Sequence, residues 1–92
     1  MTARQARRLS KKEYKTFEHD IIHAIDDCIK SAAEHGKYFI QVSSSCFHNR
    51  ELNDKWYCDS TLRDHVETHY KRRGFIVDKA QDFTQIYWGK KA

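Results

Sequence analysis

From Tyr14 onward, apolar residues recur at spacings of three and four. Tyr14, Phe17, Ile21, Ile25, Cys28 and Ala32 form one stripe, which Ile22 and Ile29 widen. That is the 3.6-residue period of an amphipathic helix. Just ahead of it, Ser10-Lys-Lys-Glu13 reads as a capping box, and Gly36 reads as the C-cap. The spacing predicts a helix over about residues 11–35, ~37 Å long at 1.5 Å per residue. A domain of this size is narrower, so one end is expected to project or to meet a partner. Tyr38–Ser43 follows as a strand with Tyr38, Ile40 and Val42 on one face, closed by Ser43-Ser44-Ser45. Residues 46–58 are irregular, with Leu52 and Trp56 at helical spacing. Asp59 or Ser60 caps a second clear helix with Leu62, Val66 and Tyr70 inward, ended by Gly74. Arg63–Glu67 and Glu67–Lys71 read as favourable pairs on its outer face. Phe75-Ile76-Val77 opens a strand, Lys79 to Asp82 turns it, and Phe83–Trp88 returns as a hairpin partner. The predicted class is α+β: a long N-terminal helix, one strand, a short irregular or helical segment, a second helix and a C-terminal β-hairpin. The expected result is a three-stranded sheet with the helices packed on it.

Composition narrows the function classes. With 92 residues, 39% hydrophobic, and a mean hydropathy of −0.90, the chain supports one lean core without a large ligand cavity. Its longest apolar run, three or four residues, is too short for a membrane-spanning helix or a signal-peptide core. The aromatic share of 13% excludes a disordered chain. Three cysteines, Cys28, Cys46 and Cys58, cannot all pair within one chain, which argues for free thiols in a reducing, cytoplasmic setting.

Charge changes the picture once it is placed along the chain. The formal net charge is +4, and the pI near 9.0 points toward nucleic acid. Five of the cations (Arg4, Arg7, Arg8, Lys11, Lys12) lie in residues 1–12, and Lys90 and Lys91 lie in the tail. The ten that remain face 13 acids between residues 13 and 89, a net of −3. The expected organisation is a basic flexible arm at 1–9, a single domain at 10–89 and a basic tail at 90–92. Within the domain, Lys71-Arg72-Arg73 with Arg63 and Arg50 forms the local positive patch. Cations in a last helical turn also complement the helix dipole.

The order of elements and the passage Leu62…Val66…Tyr70-Lys-Arg-Arg-Gly74-Phe75-Ile76 resemble the winged helix. On that template Asn49–Tyr57 is the support helix, Ser60–Arg73 the recognition helix and Phe75–Trp88 the wing. Tyr38–Ser43 is longer than the stub strand of such folds. A second pattern is Ser31-Ala32-Ala33-Glu34-His35-Gly36-Lys37, then a strand, a helix ending in Gly74-Phe75, and a hairpin closing on Ile86-Tyr87-Trp88-Gly89. It resembles the small α/β accessory proteins of tailed bacteriophages. That resemblance implies a viral protein that binds host machinery, and it brings no catalytic residues.

Several constellations could carry chemistry. Cys46, His48, Cys58, His65 and His69 include thiolate and imidazole, the ligand types of a zinc site. His65 and His69 stand one helical turn apart, but eleven residues separate Cys46 from Cys58 and no CxxC knuckle is present. Arg63 and His69 match the Arg-x5-His spacing of an all-helical ribonuclease superfamily, a coincidence of two common residues. No Gly-rich phosphate loop or paired-carboxylate motif occurs, so a non-enzymatic protein with no cofactor and no bound metal is expected. Its partner is expected to be a host protein or nucleoprotein, such as a defence nuclease or the transcription apparatus, bound stoichiometrically and thereby inhibited or redirected. Glu18, Asp20, Asp26 and Asp27 would meet basic protein surface, and Phe47, Trp56 and Tyr57 would anchor the interface. Arg4, Arg7, Arg8, Arg63, Lys71, Arg72 and Arg73 would touch nucleic acid. The alternative is a winged-helix-type DNA-binding regulator using the second helix and the basic arms. Homo-oligomerisation through the first helix is a third possibility, and no membrane partner is expected.

Overall fold

The computed structural model describes residues 2–47, 49–79 and 83–89. Helix α1 spans Ala3–Glu34, strand β1 Phe39–Val42, and a 3-10 turn Ser44–Cys46 follows. Then come α2 at Arg50–Cys58, α3 at Ser60–Arg72, β2 at Ile76–Lys79 and β3 at Thr84–Tyr87. The strands form one antiparallel sheet in the order β1-β3-β2, with Ile40 and Val77 both opposite Ile86. The α+β layout expected from the hydrophobic pattern is therefore the one adopted, and residues 50–58 resolve into a helix.

One core joins every element. Ile21 and Ile25 of α1 meet Ile40 and Val42 of β1, Trp56 of α2, Leu62, Val66 and Tyr70 of α3, and Ile86 of β3. The Tyr70 hydroxyl donates to Asp26 Oδ1 at 2.7 Å and lies 3.0 Å from the Ile22 carbonyl, tying α3 to α1. Burial and that carboxylate push the Tyr70 hydroxyl's pKa well above its ordinary value.

Helix ends follow local chemistry. After α1, Gly36 N donates to Ala33 O and Lys37 N to Ala32 O; after α3, Gly74 N donates to Lys71 O and Phe75 N to Tyr70 O. Both are Schellman closures, and both glycines sit at positive φ, 79° and 89°, where a Cβ is strained. The Phe75 and Tyr70 rings, 5.5 Å apart, supply the apolar contact that accompanies the second. Asp59 alone joins α2 to α3: its amide donates to Lys55 O, and its side chain accepts from Leu62 N at 3.0 Å.

Four expectations need correction. Helix α1 does not begin at Ser10; it begins at Ala3, where Thr2 and Gln5 form the capping box and residues 3–9 are helical. The same S/T-x-x-E/Q pattern occurs twice, and the N-terminal copy wins because nothing between them breaks the helix. Tyr38 is not on the inner face with Ile40 and Val42; it is 61% exposed, lying against Gly89. Glu67 is not on the outer face of α3: it is only 3% exposed and 3.5 Å from Lys79. Lys79 belongs to β2 rather than to the turn, and residues 80–82 of that expected turn lie outside the described residues, as does the 90–92 tail.

Candidate nucleic-acid interface

Helix α1 has two halves. From Tyr14 on, its apolar stripe docks on α2, α3 and β1, and Ile21 and Ile25 are fully buried. Residues 2–13 are exposed throughout. A 32-residue helix is about 48 Å long, close to the longest dimension of the molecule, 51 × 24 × 23 Å. The N-terminal turns therefore stand clear of the body. Between residues 2 and 15 they carry Arg4, Arg7, Arg8, Lys11, Lys12 and Lys15 against the single acid Glu13.

That charge pattern opposes the helix bearing it. Arg4–Arg8, Arg7–Lys11, Arg8–Lys12 and Lys11–Lys15 are like-charge neighbours four residues apart, each costing about 0.2–0.5 kcal/mol. The first turn holds no acid, and Arg4 within it also sits at the positive end of the helix dipole. Spacings of seven and four place Arg4, Lys11 and Lys15 on one side with Ile22 and Asp26, the residues that receive Tyr70 of α3. The basic side of the projecting turns is thus the side that α3 occupies further along.

Helix α3 contributes the second basic element. Of its two acids one is buried and the other, still exposed, is ion-paired. Glu67 is buried toward β2, and Lys79 Nζ holds Asp64 Oδ1 at 3.0 Å. The hydrogen bond and charge of Lys79 keep the Asp64 carboxyl below its ordinary pKa, and the Lys79 ammonium is pushed up in turn. Beside the paired Asp64, the outer surface carries Thr61, His65, Thr68, Lys71 and Arg72. Arg63 turns away and donates to the C-terminal carbonyls of α2, Trp56 O at 3.2 Å and Tyr57 O at 3.3 Å, so it closes a helix rather than facing a ligand.

Of the residues expected to bind nucleic acid, Arg4, Arg7, Arg8, Lys71, Arg72 and Arg73 are exposed, and Arg63 is half-buried with its Nη1 on the α2 carbonyls. The residues expected to bind protein fare differently. Phe47 (7% exposed) and Trp56 (2%) are core residues, their ring centroids 6.0 Å apart, and they cannot anchor an interface. The expectation failed because residues 46–58 lack a clean period, whereas α2 turns Trp56 inward. Tyr57 is exposed, as are Asp20 and Asp27, which lie 3.5 and 3.7 Å from His19 and His23. Asp26 receives Tyr70, and Glu18 faces α3 across a groove.

The zinc-type set is dispersed. Cys46 is buried beside β1, lining a hollow with Cys28, and Cys58 is exposed at the end of α2. His48 lies outside the described residues. Among the described residues, no group of three or more His, Cys, Asp or Glu side chains could hold a metal ion. Also among them, no helix is long and apolar enough to cross a membrane.

Sequence reasoning missed one feature: Glu18, His65, Thr68, His69, Arg72 and Arg73 line a groove of about 460 Å³ between α1 and α3. Spacings of three, four and seven from His65 to Arg72 mark one side of α3, a signal present in the sequence. Its partner side on α1 needed the tertiary pairing. Comparison with family models, with curated proteins and with solved structures yields no match.

Proposed function

We propose that this chain is a non-enzymatic protein of winged-helix layout that binds duplex DNA through the projecting turns of α1 and the end of α3. One observation carries the reading: five cations and one acid on the exposed helical segment 2–13, whose own charges work against it. A polyanion laid along that segment relieves the repulsion and releases counterions at the same time. The order helix, strand, helix, helix, strand, strand resembles the order of a winged helix and supports this reading. The acids that would have opposed DNA on α3 are accounted for, Asp64 by Lys79 and Glu67 by burial.

The test is fluorescence anisotropy of a labelled duplex across a salt series. The full chain should bind with a Kd of about 10⁻⁴–10⁻⁶ M at physiological salt. Replacing Arg4, Arg7 and Arg8 by Ala should weaken binding and flatten the slope of log K against log salt by about 2–3. An unchanged slope would remove α1 from the interface.

A second reading rests on another surface of α1. Glu13, Asp20, Asp27 and Glu34 recur at seven-residue spacing, and all are exposed. That ridge suits a basic protein surface, as in a bacteriophage-encoded factor that occludes host nucleoprotein machinery. This reading retains Asp20, Asp27 and Tyr57 but loses the anchors Phe47 and Trp56. Charge reversal along the ridge should leave duplex binding intact, whereas capture of a stoichiometric host partner should disappear.

A further inference from the structure

The groove between α1 and α3 gathers more donors than the fold uses. Arg72 and Arg73 make no ion pair among the described residues, although both residues line the same cavity of about 460 Å³. Thr68 adds a hydroxyl, and His65 and His69 add imidazole nitrogens. The ring edges that support these histidines come from both helices. Tyr14 meets His65 at 5.8 Å and Tyr70 meets His69 at 5.0 Å, each nearly perpendicular. Glu18 is the one acid in the lining. Fork-shaped guanidinium donors beside hydroxyl and imidazole donors suit the oxygens of a phosphate.

Position gives the groove a partner. The basic side of α1 runs Arg4, Lys11, Lys15, and the next turn on that side is the wall of the groove at Glu18. We propose that this groove is a phosphate-binding subsite, continuous with the basic side of α1, that takes one backbone phosphate of the bound nucleic acid. The proposal rests on the reading of α1 given above for its choice of ligand, and on the α1–α3 groove for its location.

Charge makes the subsite pH-sensitive. With neutral histidines it holds two guanidinium groups against one carboxylate. Burial, and then the charge of Arg73, hold the His69 pKa below its ordinary value, while Asp26 and Glu18 pull the other way. Tyr14 and Tyr70, the other titratable groups facing these rings, stay neutral because burial raises both. A bound phosphate favours the imidazolium, so affinity increases as pH falls through the histidine range.

The experiment is an imidazole-resolved NMR titration of the full chain with inorganic phosphate, paired with duplex anisotropy on the same variants. His65 and His69 should shift saturably with phosphate, more strongly at pH 6 than at pH 7.5, while His19, His23 and His35 stay put. Arg72→Gln with Arg73→Gln should weaken the phosphate response about tenfold and lower the salt slope of duplex binding by about 1. Glu18→Gln should tighten it, a change of opposite sign that damage to the fold would not produce. Uniform shifts of all histidines, or an unaltered response in the double Arg variant, would overturn the subsite. If phosphate binds here but the duplex does not bind at all, the subsite stands and the reading of α1 fails. If the duplex binds with unchanged slope in the double Arg variant, the reverse holds.

Discussion

The two halves of α1 share one backbone and differ in what holds them. The half after Tyr14 is helical because Ile21 and Ile25 close the core, and its local charges hardly matter. The half before it is exposed throughout, and only Leu9, Ser10 and Glu13 border a hollow shared with Lys55, Asp59 and Leu62. It stays helical through the Thr2–Gln5 capping box and the good helix formers Ala, Leu, Gln, Arg and Lys. Burial of apolar side chains contributes kcal/mol per residue, whereas exposed helix pairs contribute tenths. A segment held only by tenths can afford a charge pattern that suits a ligand instead of the fold.

Substitutions can break this contrast. The largest effect belongs to the docked half: Ile25→Ala should cost about 2–5 kcal/mol in urea unfolding. Leu9→Ala in the projecting half, where the side chain is 51% exposed, should leave the midpoint within error. Equal costs would mean that the projecting turns are packed after all. Next comes the tie between α1 and α3. Tyr70→Phe removes the hydrogen bond to the Asp26 carboxylate and should cost about 1.5 kcal/mol.

Smaller still, Arg4→Glu with Arg8→Glu should stabilise the first turns locally by about 0.3–1 kcal/mol per site. Amide exchange of residues 3–8 would slow while the urea midpoint stays fixed and duplex binding is lost. Faster exchange would contradict the view that these charges oppose the helix. The smallest effect sharpens the α1–α3 boundary. His69 titrates ordinarily at 6.5, and burial holds its folded value lower. On acidification the unfolded chain therefore takes up the proton first. The stability contributed by the neutral ring is present above 6.5 and declines as pH falls through that value toward the folded one. A urea series from pH 7.5 to 5.5 should show this decline in the native chain, with the His69→Gln variant losing that component.

The hydrophobic period made α3, the docked half of α1 and the hairpin legible, since Leu62, Val66 and Tyr70, or Ile21 and Ile25, declare a face by spacing alone. Projecting turns carry no such stripe, so the start of α1 had to be read from Thr2 and Gln5, in competition with Ser10 and Glu13. Burial of Phe47 and Trp56 depended on how α2 packs on α1 and α3, which no local pattern encodes. Glu67 was misplaced because helical wheels put it near the boundary, and the packing of β2 against α3, with Lys79 3.5 Å away, is tertiary. Of the candidate interface, the exposed Arg and Lys residues were visible as charge runs. The groove was not, because its two walls meet only in the folded chain.

Asp59 leaves no slack between α2 and α3. The same residue ends one helix through its amide and begins the next through its carboxylate, while Arg63 straps the corner by holding the Trp56 and Tyr57 carbonyls. The junction is a rigid elbow, not a hinge. A single inserted residue would turn Leu62 by about 100° relative to Trp56 and pull one of them out of the core. Insertion of one residue at this corner should therefore lower the urea midpoint sharply.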